Sequence, residues 1–250
     1  MPAASRGPLI VAHRGFSARC RENSPAAWQA AHACGADAVE TDIRWTRDGV
    51  AVCFHDVDLM RLTGMSDRIA ETDSAVLDEI ALAGAAIAPR FDDFLATLPP
   101  SVQLVLDIKD ERPSSLERLL PMLAGIPAAR LVLGLHRAET VAALRDATAA
   151  RILGFFDDPD HEDTFLERGG DVFRLWEQHA TPERIARIAA KGLPVWVMCG
   201  GDGTGRAVGD IDGEGMRRLG AAGAAGLLVN DPEAARIAVR PNAAKKEMVS

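Results

Sequence analysis

The segment AVETDIRWTRDGVAVCFHD, residues 38–56, contains two strand patterns separated by a tight turn. Apolar and polar residues alternate over 38–45 and again over 50–55, and Asp48-Gly49 between them is a strong signal for a hairpin. The link is far too short for a parallel crossover, which needs a dozen residues or more. One strand must therefore run antiparallel to the other, as the arm of a hairpin.

Apolar runs and helical patterns alternate along the rest of the chain, which is typical of a parallel sheet wrapped by helices. The predicted strands lie near 9–13, 38–45, 50–55, 102–108, 130–135, 151–156, 171–176, 193–198 and 226–230. The predicted helices lie near 24–34, 114–124, 138–149, 162–168, 182–191, 213–222 and 231–238. Without the extra hairpin arm eight strands remain, so we predict an α/β fold of the TIM type, a (β/α)8 barrel. An open doubly wound sheet is less favoured, because no glycine-rich phosphate fingerprint follows the first strand.

The hairpin also predicts which residues face each other. If Asp48 and Gly49 are the two central turn residues, Asp42 lies directly opposite His55, with Cβ atoms about 5 Å apart. A three-residue loop with a bulge would shift this pairing by one residue. We take the two-residue turn as the prediction.

Residues 57–99 separate the hairpin from the next strand and are too many for a bare loop. Within them, SAVLDEI (74–80) and RFDDFLATL (90–98) read as short helices. We expect a small helical insertion that lies over the carboxyl end of the barrel. The predicted organisation is a single catalytic domain over 1–240, including this insertion, followed by a disordered tail at 241–250.

The composition bounds the class of partner. The 250 residues carry a formal net charge of −8 and no tyrosine, and the pI is about 5.3. Such a chain is not typical of proteins that bind nucleic acid or anionic membranes. It has no apolar run of about 18 residues that would span a bilayer, and no apolar core of a secretory signal near its start.

Four cysteines are scattered along the chain without the spacing of a metal site, namely Cys20, Cys34, Cys53 and Cys199. We expect free thiols and a cytoplasmic location, since cytoplasmic thiols are kept reduced. The sequence leaves the oligomeric state open.

Three acidic residues interrupt buried strands of the predicted barrel. Glu40 and Asp42 lie about 7 Å apart on one face of a strand, and Asp107 interrupts the apolar strand LVLDIKD. An ion pair between Asp107 and Lys109 would explain one of these carboxylates, but not three that converge from different strands. Buried like charges need a cation, and an all-oxygen donor set suits Mg²⁺ or Ca²⁺ better than zinc.

Basic residues flank the same predicted end of the barrel. His13 and Arg14 follow the first strand, where barrel enzymes place their chemistry, although a loop-capping role would explain the pair equally well. Arg14 and Lys109 could bind phosphate oxygens, and His13 and His55 could act as general base and general acid. Together with a divalent ion, these residues suit cleavage of a phosphodiester.

The stretch from His13 to Asp56 resembles the amino-terminal signature of the glycerophosphodiester phosphodiesterase family. It contains in order the motifs HR, EN[TS], E-x-D, T-x-DG and HD, and RLTG (61–64) continues the match. Fainter echoes follow in DIK (107–109), Trp196 and NDP (230–232). The similarity covers most of the chain and is highly specific in its first quarter.

The resemblance implies a TIM-type barrel with a helical insertion that hydrolyses glycerophosphodiesters to sn-glycerol 3-phosphate and an alcohol. It implies a divalent metal on Glu40, Asp42 and Asp107. It also implies that His13 helps to deprotonate the glycerol 2-hydroxyl and that His55 protonates the leaving alcohol, through a cyclic phosphate that water opens. The residues that the resemblance and the chemistry above assign to substrate are Arg14, Lys109 and Trp196.

The chain departs from the family pattern at three places. Family members typically carry Glu where this chain has Asp107. The related sphingomyelinase-D-like phospholipases also use Asp at this position. Leu135-His136 replaces a Ser-Phe pair, and Trp196 begins WVMC rather than WTVN. Two alternatives therefore stay open: phospholipase-D-like cleavage of lysophospholipids, and a metal-binding barrel without turnover. We expect His136 to be a surface-loop residue and the glycine-dense segment 199–215 to form a mobile rim.

Overall fold

The computed structural model describes residues 7–240, so the predicted tail at 241–250 lies outside the described residues. Strands are numbered here in chain order. They are β1 (Leu9–Ala12), β2 (Ala38–Trp45), β3 (Ala51–Cys53), β4 (Ala81–Leu82), β5 (Ala85–Ala86), β6 (Gln103–Ile108), β7 (Leu131–Leu135), β8 (Arg151–Gly154), β9 (Val172–Trp176), β10 (Val195–Met198) and β11 (Gly226–Val229).

The helices are numbered in the same way. They are α1 (Pro25–Ala33), α2 (Met60–Thr63), α3 (Ser74–Glu79), α4 (Phe91–Thr97), α5 (Pro113–Leu123), α6 (Ala138–Arg145), α7 (Glu162–Glu167), α8 (Pro182–Ala190), α9 (Gly213–Ala221) and α10 (Pro232–Val239). Short 3-10 turns lie at Ile69–Glu71, Ala128–Arg130 and Glu177–His179. No helix within residues 7–240 is both long and apolar enough to cross a lipid bilayer.

Eight parallel strands close into a barrel. The order runs from β1 through β2, β6, β7, β8, β9 and β10 to β11, and β1 pairs with both β2 and β11. This closure confirms the predicted (β/α)8 architecture. Buried apolar side chains fill the barrel interior, among them Val11, Val105, Val132, Leu153 and Trp196. A larger apolar layer lies between the strands and the surrounding helices.

The hairpin is present, but its predicted register is wrong by one residue. Strand β3 runs antiparallel to β2 with Ile43 opposite Cys53. The N–H of Thr46 donates to the carbonyl of Val50, and Gly49 occupies the left-handed region at φ +81°. The loop therefore has three residues, with a glycine that forms the bulge. The N–H of Phe54 donates to the carbonyl of Asp42, so Asp42 lies opposite Phe54 and His55 lies one residue beyond this pair.

The segment 57–99 divides into two parts, a first part before α4 and a second part formed by α4 itself. Its last helix, α4, packs on α1 outside the barrel, where the rings of Phe94 and Trp28 meet edge to face at 4.9 Å. The first part covers a small apolar cluster of its own, formed by Val52, Phe54, Leu59, Ile69, Leu77, Ile87 and Ala88. Val57 and Arg68, in that first part, line a cavity together with Lys109.

Candidate active site

Three carboxylates converge inside the carboxyl end of the barrel. Asp42 on β2 and Asp107 on β6 are direct partners in the parallel ladder, so their side chains share one face, and Glu40 lies two residues earlier on that face. One oxygen from each residue lies within 4.8 Å of the others, and all three residues are buried. The predicted cluster is therefore assembled.

Two cations contact this cluster but leave one carboxylate without a cationic partner. Lys109 Nζ lies 2.6 Å from Asp107 and 3.1 Å from Asp42, and Arg14 Nε lies 3.2 Å from Asp42. Glu40 accepts the backbone N–H of Arg14 at 2.7 Å, and no cationic side chain among the described residues forms an ion pair with it. Two positive charges thus meet three carboxylates.

The excess of negative charge in the cluster affects the pKa of Glu40. Burial, together with repulsion from Asp42 and Asp107, raises the pKa of Glu40 well above its usual value. Burial alone would also raise the pKa of Asp42, but Lys109 and Arg14 hold that pKa below its usual range. An all-oxygen donor set with one uncompensated charge fits a divalent cation such as Mg²⁺ or Ca²⁺.

The backbone around Arg14 fixes the geometry of this corner. Arg14 adopts φ +54°, which directs its N–H at Glu40, and its guanidinium also lies 3.2 Å from Glu22. Asn23 donates to Asp42 at 2.7 Å and accepts the hydroxyl of Thr41. The EN[TS] motif thereby supplies support for the acidic cluster, while its Ser24 caps α1.

His13 is held as one defined tautomer. Nδ2 of Asn230 donates to the carbonyl of Val208 at 2.8 Å, so its Oδ1 faces Nδ1 of His13 at 2.9 Å. An amide oxygen only accepts, so Nδ1 of His13 must carry the hydrogen and Nε2 keeps its lone pair. Burial, followed by the charge of Arg14, lowers the pKa of His13 to about 4. The imidazole is therefore neutral at neutral pH.

Nδ1 of His55 faces a carboxylate, whereas Nδ1 of His13 faces an amide oxygen. Nδ1 of His55 lies 2.8 Å from Oδ1 of Asp56, whose other oxygen accepts from Arg61 at 2.6 Å. The guanidinium of Arg44 donates twice to the backbone carbonyl of His55, at 2.7 and 2.9 Å, and so fixes the chain beyond β3. Burial lowers the pKa of His55, while Asp42 and the bond to Asp56 oppose that effect.

Three of the remaining predictions have different outcomes. Lys109 contacts the cluster as expected, whereas Trp196 is 1% exposed and packs its indole against Gly226 inside the barrel. His136 is exposed, as expected of a surface-loop residue, and its Nε2 also lies 2.7 Å from Asp107 while its ring stacks on Phe155. Its position directly after β7, at the carboxyl end of a barrel strand, was the available signal for this contact.

Two cavities lie near the cluster, each lined by one of the residues that contact it. One of about 530 Å³ shares His136 with the site and is also lined by Arg137, Asp157 and Asp158. The other, of about 240 Å³, lies between Lys109 and the insertion. Charged side chains line both.

The sequence model of the Glycerophosphoryl diester phosphodiesterase family matches residues 13–234. The chain belongs to this family. The match contains all of the site residues described above, from His13 directly after β1 to Asn230 directly after β11.

Curated relatives carry the same family name, and solved structures show the same fold. "Probable glycerophosphodiester phosphodiesterase 2" of Mycobacterium tuberculosis is 38% identical over 104 residues, which are 41% of this chain and 39% of that protein. An Oleispira antarctica phosphodiesterase in complex with the product sn-glycerol 3-phosphate has the same fold, with a TM-score of 0.80 and 18% identity over 94% of this chain and 98% of that one. The glycerophosphodiester phosphodiesterase of Agrobacterium tumefaciens has a TM-score of 0.72 and 23% identity over 91% and 98%. The chain thus spans about two fifths of the length of the first curated relative.

Proposed function

We propose that this family member hydrolyses glycerophosphodiesters to sn-glycerol 3-phosphate and an alcohol, with a divalent cation bound to Glu40, Asp42 and Asp107. The observation that carries the proposal is the convergence of these carboxylates, with one charge uncompensated, at the barrel end that also holds two differently supported histidines. The product named for the Oleispira structure is the same glycerol phosphate.

The donor set defines which ion is expected and what it contributes. Three carboxylates suit Mg²⁺ or Ca²⁺, which prefer oxygen ligands. When bound, such an ion neutralises and orients a phosphodiester oxygen. Arg14 and Lys109, which are about 14% and 13% exposed, lie beside the cluster and supply positive charge for further phosphate oxygens. Contact of Trp196 with the substrate remains part of the proposal.

His13 acts as the general base. Its neutral ring presents Nε2 with a free lone pair, because Asn230 occupies Nδ1. Nε2 takes the proton of the glycerol 2-hydroxyl as that oxygen forms its bond to phosphorus. An imidazole kept neutral at neutral pH is suited to this step and poorly suited to proton donation.

His55 acts as the general acid. Burial lowers the pKa of His55, but the carboxylate of Asp56 beside Nδ1 opposes this effect and stabilises the protonated ring, a support that His13 lacks. Nε2 of the protonated ring delivers a proton to the leaving oxygen as its bond to phosphorus breaks. The products of this step are the free alcohol and a cyclic phosphate of glycerol. Water then opens the ring, with the two histidines exchanging roles, to give sn-glycerol 3-phosphate.

The cavity between Lys109 and the insertion suits a polar leaving alcohol, because charged side chains dominate its lining, among them Arg44, Arg68 and Asp110. The cavity beside His136 combines the charged Arg137, Asp157 and Asp158 with the apolar Ala138 and Phe156. A lysophospholipid needs an apolar channel for its acyl chain, so phospholipase-D-like cleavage stays the alternative that product analysis tests. All four cysteines are free thiols, which is compatible with action in the cytoplasm.

Product analysis tests this proposal. Purified protein is incubated with a panel of glycerophosphodiesters and lysophospholipids, with added Mg²⁺ or Ca²⁺ and with EDTA, and the products are identified by ³¹P NMR. We expect metal-dependent release of sn-glycerol 3-phosphate. A cyclic or lysophosphatidic end product would indicate the phospholipase-D-like reaction, and no cleavage of any diester would indicate a barrel without turnover.

A further inference from the structure

The loop that follows β10, residues 199–210, contacts Asn230, the residue whose side chain orients His13. Asn230 donates from Nδ2 to the carbonyl of Val208 at 2.8 Å and to Asp210 at 3.3 Å. Its backbone N–H donates to the carbonyl of Gly209 at 2.7 Å. The amino side of the Asn230 amide is therefore positioned by this loop, while its Oδ1 also accepts the hydroxyl of Ser17 at 3.0 Å.

Gly209 allows the loop and the amide to approach each other this closely. A Cβ atom at this position would lie 2.0 Å from Oδ1 of Asn230, and the residue has φ +83°. Both the space and the backbone conformation require glycine. A displacement of the loop at this point would move the oxygen that accepts from His13.

The carboxylate of Glu177 forms a clasp across the loop, because it contacts the start of the loop and a residue in its second half. Glu177, which follows β9, accepts the N–H of Gly200 at 2.7 Å and the guanidinium of Arg206 at 2.5 Å. Arg206 also donates to the carbonyl of Asp210 at 2.8 Å. The two side chains are 14% and 23% exposed, so water screens this ion pair less than it screens pairs on the open surface.

We propose that the ion pair between Glu177 and Arg206 is a positioning device for His13. It holds residues 208–210, these hold the amide of Asn230, and Asn230 keeps the hydrogen of His13 on Nδ1. Neither Glu177 nor Arg206 contacts the acidic cluster or the histidines, so both are positioning residues that act through Asn230. The consequence for turnover rests on the proposed function, whereas the tautomer of His13 does not.

The tautomer can be read directly from the ring nitrogen signals of His13 in ¹⁵N-labelled, metal-free protein, assigned with a His13→Ala variant. We expect one Nδ1-protonated form in the original chain. Asn230→Ala, Arg206→Ala and Glu177→Gln should each add the Nε2-protonated form. Gly209→Ala, which leaves the clasp intact but displaces the amide, should do the same. Unchanged His13 signals in Asn230→Ala and Arg206→Ala would overturn the proposal.

Arg218→Ala is the matched control, because Arg218 forms an exposed pair with Glu214 on α9, outside the loop. It should change neither the His13 signals nor turnover.

In Arg206→Ala we expect kcat to fall roughly tenfold, part of what a positioned base contributes, with KM nearly unchanged. The double variant Glu177→Gln/Arg206→Ala should have a kcat no lower than that of the slower single variant, because both substitutions break the same ion pair. A raised KM with unchanged kcat would overturn the proposal, because the loop would then bind substrate directly. A chain that cleaves no diester would refute the proposed function while the spectra still test the clasp.

Discussion

Nδ1 of His55 lies 2.8 Å from the carboxylate of Asp56. His13 presents the same ring atom to a neutral amide, Oδ1 of Asn230, at 2.9 Å. A carboxylate stabilises a protonated imidazole, and an amide oxygen does so far less. This difference between two otherwise similar histidines supports the proposal that His55 is the acid and His13 the base.

In the pH profile of kcat/KM, Asp56→Asn should shift the alkaline limb to lower pH. The pKa of His55 is already lowered, first by burial, and the bond to Asp56 opposes that lowering. The asparagine oxygen can still accept from Nδ1, so the ring stays in place while the charge is lost. The protonated acid then disappears at a lower pH, by about 1 pH unit, since a charge-assisted hydrogen bond contributes about 1.5–3 kcal/mol. Asp58→Asn serves as a control, because Asp58 accepts from the Met60 amide instead of a histidine. An unmoved limb in Asp56→Asn would refute the acid role of His55.

His13→Ala and His55→Ala should each lower kcat by about 10²–10⁴-fold, the usual contribution of a positioned acid or base. Circular dichroism should show that both variants keep the fold. His32→Ala on the exposed face of α1 is the control and should retain full turnover. Near-normal activity in either of the first two variants would remove that histidine from the mechanism.

Glu40→Gln should stabilise the metal-free protein at neutral pH. The folded pKa of Glu40 is raised, so its contribution to stability is complete below the usual glutamate pKa of about 4.3 and is lost as pH rises through the folded value. At neutral pH the carboxylate repels Asp42 and Asp107, and glutamine removes this repulsion while it can still accept from the N–H of Arg14. Thermal unfolding without metal at pH 5 and pH 8 measures the effect. A lower Tm than that of the original chain at pH 8 would contradict it.

The same variant should lose the stabilisation that the ion provides. At a free concentration of 100 times Kd, a bound ion adds about 2.7 kcal/mol, or roughly 5–10 °C in Tm for a chain of this length. We expect this rise with Mg²⁺ or Ca²⁺ in the original chain and little of it in Glu40→Gln. An equal rise in both proteins would place the ion elsewhere.

His136→Ala should weaken the affinity for the divalent ion. His136 and Lys109 occupy the two oxygens of Asp107, so the loss of the imidazole frees that carboxylate to rotate. Removal of an orienting partner from a metal ligand typically costs about 10- to 100-fold in affinity. Isothermal titration with Mg²⁺ measures the change, and His32→Ala again provides the control. Unchanged affinity would mean that Lys109 alone orients Asp107.

The fold could be read largely from the sequence because its signals are local. Asp48-Gly49 specified a hairpin, and the alternation of strands and helices then specified an eight-stranded barrel. The cluster followed from the same reasoning, since Glu40 and Asp42 share a strand face and Asp107 lies on the next barrel strand. The register failed because Gly49 takes a left-handed conformation in a three-residue loop, and both loop lengths are compatible with that sequence.

Contacts between distant parts of the chain could not be predicted in this way. His13 and Asn230 are 217 positions apart and meet only because β1 pairs with β11 when the barrel closes. His136 reaches Asp107 because Gly134 leaves room for the ring of Phe155, on which the imidazole stacks. Helix α4 was assigned to the cover of the barrel, yet its phenylalanines find their apolar partner in Trp28 on the outer layer.

The claim on which all of this depends is that Glu40, Asp42 and Asp107 bind one divalent ion that is required for diester cleavage. The most direct measurement is a titration of EDTA-treated protein with Mg²⁺ or Ca²⁺, following bound ion and released sn-glycerol 3-phosphate in the same samples. We predict one ion per chain, with turnover rising along the same curve. Full turnover in the metal-free protein, or ion binding that is unchanged when Glu40→Gln and Asp42→Asn are combined, would contradict the account.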